Sequence, residues 1–150
     1  LWGGDEATVY QTIANGRTGV MPAWGSVLGP AGVEEVAAYV LSLGGRQERA
    51  EKVAAGKERF AALCVGCHGV DGRGNPALGA PDLTDYIWLY GGDTETVRTT
   101  IALGRNNQMP AHAELLGDTK VRLLAAYVLQ WSKPQVSTGV EQDTALTSSK

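Results

Sequence analysis

Aromatic residues make up only 7% of this chain, with a single phenylalanine, and charged residues only 19%. The net charge of −3 gathers into no basic patch, which argues against a nucleic-acid partner, and into no acidic block that would act as a solvating tail. No apolar run approaches the roughly 18 residues of a membrane span. The chain opens on Leu1, with neither a basic leader nor a signal-like apolar stretch. It reads as a processed or excised piece, whose parent could still carry an anchor. Cysteine, histidine and methionine are also scarce, at two each in 150 residues, while glycine is plentiful at 20. Such a composition suits a small, loop-rich fold whose modest core gains support from a cofactor.

An internal repeat organises the chain. Residues 1–41 align without a gap to residues 89–129, an offset of 88, with 22 identities over 41 positions. Matched pairs include Gly16 with Gly104, Met21 with Met109, and Tyr39 with Tyr127. Chance does not produce this, so the parent holds two copies of one domain. The first-copy equivalent of Cys64 would fall before residue 1. The expected organisation is therefore the C-terminal half of a truncated first domain at 1–45, a complete domain at 46–133, and a disordered tail at 134–150.

The complete copy is expected to be all-α, with three main helices. Apolar spacing through Val53, Phe60 and Leu63 predicts a helix over about 50–63. A second is predicted at about 94–103, capped by Asp93 or Thr94 and stopped by Gly104. A third is predicted at about 118–131, capped by Asp118, with Val121, Leu124, Ala125 and Val128 on its apolar face. Gly/Pro-rich loops join them, and no run looks like a strand.

Both cysteines and one histidine fall in "LCVGCHGVDGRGNP", residues 63–76. Zinc would need about four N or S ligands at tetrahedral spacing, and His68 adjoins Cys67 instead of sitting in a separate arm. A thioredoxin-like dithiol belongs at the start of a helix after a strand; this motif closes a helix and precedes glycines. Covalent haem attachment explains the spacing: two thiols three positions apart reach the two vinyl groups of one porphyrin, and the adjacent histidine is held beneath the iron. Met109 is then the candidate for the opposite face of the iron. It lies in the polar loop "RNNQMPA", unlike an ordinary core methionine, and Pro110 stiffens that loop.

Taken together, "GKERFAALCVGCHGVDGRGN", "GAPDLT", "WLYGG", "GRNNQMPA" and "LAAYVL" resemble class I c-type cytochromes over about residues 50–131. The repeat and the W-L-Y-G-G block are similar, more specifically, to the dihaem subunit (FixP/CcoP type, subunit III) of cbb-type haem-copper oxidases. The resemblance implies a class I cytochrome c fold, helices and Gly/Pro-rich loops around one haem c per chain. It implies thioethers at Cys64 and Cys67, a proximal bond from His68 and a distal bond from Met109. Pro81 matches the proline whose carbonyl accepts the proximal histidine's Nδ1–H. Gly56 and Phe60 match first-helix residues that cross the last helix near Tyr127. Asp82 and the Asn107–Gln108 pair depart from the family pattern.

The implied function is one-electron transfer towards an oxidase core, not substrate chemistry. The implied partners are oxidase core subunits and a small donor cytochrome, with no nucleic acid. The implied setting is the periplasmic side of a bacterial inner membrane, with an anchored parent. Two alternatives remain: a gas-binding sensor with a labile methionine, and the cytochrome subunit of a periplasmic dehydrogenase. Arg105, matched by Arg17, is either a partner for a haem propionate or a cation at a helix end. His112 is either a substitute ligand or, by default, a solvated loop residue. Trp88 and Tyr90 either cover the haem edge or pack in the core. Finally, residues 1–45 and 89–133 are equivalent back halves beside one front half. Met21 is therefore an alternative iron ligand by exchange, within the chain or in a domain-exchanged homodimer.

Overall fold

The computed structural model describes residues 3–132; the tail expected to be disordered lies outside the described residues. The elements run α1 (Glu6–Asn15), β1 (Arg17–Met21), α2 (Gly25–Leu43), α3 (Ala50–Leu63), α4 (Val65–His68), α5 (Thr94–Leu103), β2 (Arg105–Met109) and α6 (Ala113–Ser132), with a 3-10 turn at Pro76–Leu78.

The repeat is visible in how matching helices start and stop. Asp5 and Asp93 are equivalent N-caps, accepting from the backbone N–H of Thr8 and of Thr96 at 2.9 Å each. Each cap satisfies one of the donors that a helix start leaves unpaired. Gly16 and Gly104 are equivalent C-caps with φ of 69° and 70°. The helices predicted over 50–63 and 94–103 form with those bounds. The last helix begins earlier than its apolar pattern suggests: α6 starts at Ala113 and breaks at Gly117, φ 74°, so its regular part begins at Asp118. The Asp118 carboxylate does not cap it. It accepts from Tyr10 Oη at 2.6 Å and Arg122 Nε at 2.8 Å.

The two strands were not legible as strands. They pair antiparallel, Arg17 opposite Met109 through to Met21 opposite Arg105. Since Arg17 matches Arg105 and Met21 matches Met109, the ribbon has an approximate two-fold axis through the Gly19–Asn107 pair. Each arm leads from a helix of one copy onto the other copy. Trp24 N–H donates to Ile101 O on α5 at 3.0 Å, and its counterpart His112 N–H donates to Ile13 O on α1 at 3.1 Å. Accordingly α2 packs on α5, and α6 packs on α1.

Packing crosses the boundary between residues 1–45 and 46–133. Among the described residues the largest helix contact is α2 on α3. The core joins Leu28, Val33, Val36, Ala37, Tyr39, Val40 and Leu41 of α2 to Phe60 of α3 and Val97 and Ile101 of α5. Gly56 and Phe60 therefore cross a last helix as expected, but it is α2 near Tyr39, not α6 near Tyr127. A Cβ on Gly56 would sit 1.9 Å from Glu35 O, and the Phe60 and Tyr39 rings meet edge-on at 5.2 Å. Two physical reasons favour α2. The link from α2 to α3 is only residues 44–49, so an antiparallel helix pair closes with little loss of chain entropy. The pair is also matched in charge, with Lys52 bonded to Glu34 and Arg59 Nε to Glu35 at 2.5 Å.

Candidate haem site

The site grows from the end of α3. Cys64 N–H donates to Phe60 O at 2.9 Å, closing α3, and Cys64 O accepts from His68 N–H at 2.9 Å, opening the single turn of α4. Cys64, Cys67 and His68 are thus held on one tight turn. Cys64 is half-buried and Cys67 exposed, and both are free thiols. Burial, and then the neighbouring Cys67, push the Cys64 thiol above its ordinary pKa.

His68 is the one buried charged or polar side chain of the described core, 8% exposed. Its Nδ1 lies 3.3 Å from Pro81 O. With Nδ1–H donating to that carbonyl, Nε2 carries the lone pair. Burial lowers the imidazole pKa; the Pro81 carbonyl opposes that shift. The loop is tied down to make this contact. His68 O accepts from Gly74 N–H at 2.8 Å, Gly72 O accepts from Leu83 N–H at 2.7 Å, and Asn75 and Ala80 exchange a backbone bridge. Gly74, at φ 79°, has no room for a side chain: a Cβ there would lie 2.4 Å from Ala80 O and 2.6 Å from Pro81 O. The Pro81 carbonyl approaches His68 over a backbone position that only glycine fills.

This donor set fits a c-type haem. It offers two thiols on one turn, a buried imidazole, and a backbone carbonyl facing its Nδ1. Among the described residues no cluster of three or more His, Cys, Asp or Glu could hold a bare metal ion.

The family described as cytochrome c oxidase, cbb3-type, subunit III, matches residues 51–128. The chain belongs to this family. It is 44% identical over 137 residues to the cbb3-type cytochrome c oxidase subunit FixP of Azorhizobium caulinodans, covering 85% of this chain and 47% of the relative. It is 42% identical over 139 residues to subunit CcoP of Rubrivivax gelatinosus, covering 92% of this chain and 45% of that one. FixP of Rhizobium meliloti is 40% identical over 137 residues. The chain spans about half the length of the curated relatives it matches. Membership in a cytochrome c family implies a c-type haem, and the mostly helical build is consistent with a class I cytochrome c fold. No described helix is long and apolar enough to cross a membrane.

The remaining expected site residues fall at the ribbon. Met21 packs against the core cluster that holds Phe60, with Cys64, Leu83 and Trp88 also bordering it. Met109 is 38% exposed. Arg105 donates to Thr100 Oγ1 from Nε at 3.0 Å and from Nη2 at 2.7 Å, and its guanidinium lies 4.0 Å above the Tyr90 ring. Tyr90 is exposed and its hydroxyl bonds to Asn107, whereas Trp88 joins the edge of the core. His112 is half-buried with Nδ1 shielded and unpartnered. Sequence reasoning missed Glu34, Glu35 and Tyr39 as neighbours of the motif helix. The signal was present in "AAYVL", which occurs in both copies and so offers α3 two candidate partners.

Proposed function

We propose that this chain carries single electrons through one haem c towards the catalytic core of a cbb3-type oxidase, on the periplasmic side of a membrane that anchors the parent protein. Core subunits of the oxidase and a small donor cytochrome are the partners. The observation that carries the reading is the buried His68, its Nδ1 facing Pro81 O beside two thiols on the same turn.

Cys64 and Cys67, as thiols, would hold the haem covalently, each adding S–H across one vinyl double bond, sulfur to one carbon and hydrogen to the other. No oxidant is consumed, provided that the two sulfurs are not already joined. His68, through Nε2, and a methionine thioether would hold the iron. Pro81 O, accepting from Nδ1–H, orients the imidazole and raises its basicity. When bound, the haem supplies the one-electron Fe(III)/Fe(II) couple, with His/Met ligation raising its potential. The protein's part would be to position the haem and tune it. Arg105 pairs in register with Met21. Directly opposed residues project to the same face of a ribbon, and this supports Arg105 as the candidate for a propionate contact.

The test is the visible spectrum of the chain matured with haem. The expected result is the sharp band pattern of a low-spin c-type haem on reduction, unchanged by brief exposure to CO. A high-spin spectrum, or rapid CO binding to the ferrous form, contradicts the reading and favours a gas-binding module.

A further inference from the structure

We infer that the haem held at Cys64, Cys67 and His68 takes Met21, from the first copy of the repeat, as its distal ligand in this chain, and not Met109 from its own copy. The inference rests on the haem reading above and sharpens it to one residue.

Two last helices compete for the motif helix α3, and the structure seats α2 there. The competitor α6 leaves the matching face open. Tyr127 is 56% exposed where its counterpart Tyr39 is 9% exposed, and Leu124 and Val128 are exposed where Val36 and Val40 are buried. Charge adds to the short link in favouring α2. Glu34 of α2 bonds Lys52 of α3 and lies 3.6 Å from Arg98 of α5, while Glu35 pairs with Arg59. At the same repeat positions α6 has Arg122 and Leu123. Seating α6 in place of α2 would bring Arg122 towards Lys52 and Arg98 and leave Arg59 without its carboxylate. Like charges brought together oppose that arrangement.

The methionine travels with the helix. Met21 ends β1, four residues before α2, and its backbone is seated on the end of α5: a Cβ on Gly104 would lie 2.4 Å from Met21 O. The loop is fixed further by Trp24 N–H on Ile101 O. Met21 thus arrives from the C-terminal end of α5, where a Met109 folded back on its own copy would otherwise sit. Met109 instead lies over α1, its carbonyl 2.2 Å from a Cβ built on Gly16, and it is more than a third exposed. The paired strands are the crossing point of this exchange, which needs no second chain.

The test compares Met21→Ala and Met109→Ala in the 150-residue chain matured with haem. It reads the near-red thioether-to-iron charge-transfer band of the oxidised form. The band should disappear in Met21→Ala and persist in Met109→Ala. Met21→His and Met109→His guard against a misfolded alanine variant: only Met21→His should give a bis-histidine spectrum and a lowered midpoint potential. Persistence of the band in Met21→Ala, or its loss in Met109→Ala, overturns the inference. A haem stain on the denatured wild-type chain separates the two failures. Without stain the haem reading fails; with stain and a band that ignores Met21, only the exchange does.

Discussion

Alanine at Gly56 destabilises the chain, even though alanine is the better helix former by about 1 kcal/mol. Gly56 lies inside α3 with ordinary helical geometry, so its backbone conformation gives no reason for glycine. Its neighbours do. A Cβ would meet Glu35 O at 1.9 Å, Glu35 C at 2.5 Å and Tyr39 Cβ at 2.9 Å. The nearest two are backbone atoms of α2, which move only if the whole helix moves. Separating α2 from α3 also loosens the Phe60–Tyr39 contact and the core around Val36, Leu41 and Phe60, all 2% exposed or less. The expected loss is at or above the upper end of the roughly 1–3 kcal/mol typical of overpacking. Denaturant unfolding of wild type and Gly56→Ala measures it. A variant stabilised by about 1 kcal/mol, the propensity gain alone, would show that α2 and α3 do not cross here.

The second large effect is expected at the thiols. In Cys64→Ser/Cys67→Ser, haem staining after denaturation falls to nothing, because no other cysteine exists in the chain. The substitution is nearly isosteric. Cys67 is exposed and Cys64 only half-buried, so neither anchors the core. Far-ultraviolet circular dichroism of the haem-free polypeptide should therefore match that of wild type before haem is added. Covalent haem surviving in the double variant would remove the thiols from the account.

Much of this was legible in the sequence because it is local. The cap at Asp93, the stop at Gly104 and the apolar spacing of 50–63 depend on neighbours a few residues away, and the structure repeats them. The triplet Cys64, Cys67 and His68 lies within five residues, so its chemistry could be read directly. Pro81 is thirteen positions on, and only the family resemblance pointed to it; its carbonyl does face His68. What was not legible is long-range. The strand "RNNQM" shows no alternation of apolar residues and becomes a strand only because its repeat counterpart lies antiparallel beside it. Tyr39 and Tyr127 stand in identical "AAYVL" segments, so nothing local says which of them meets Phe60. The difference sits one turn earlier, in Glu34 and Glu35 against Arg122 and Leu123, and matters only once Lys52, Arg59 and Arg98 are nearby. Asp118 looked like a cap for the same reason. Its actual partners, Tyr10 and Arg122, include one more than a hundred residues away.

The central claim is one covalent haem on this chain, and the intact mass under denaturing conditions tests it most directly. Expression alongside a c-type haem attachment system should yield a single species, heavier than the 15.8 kDa polypeptide by one haem. A chain at the polypeptide mass alone, produced where a control cytochrome c is fully loaded, would contradict the account.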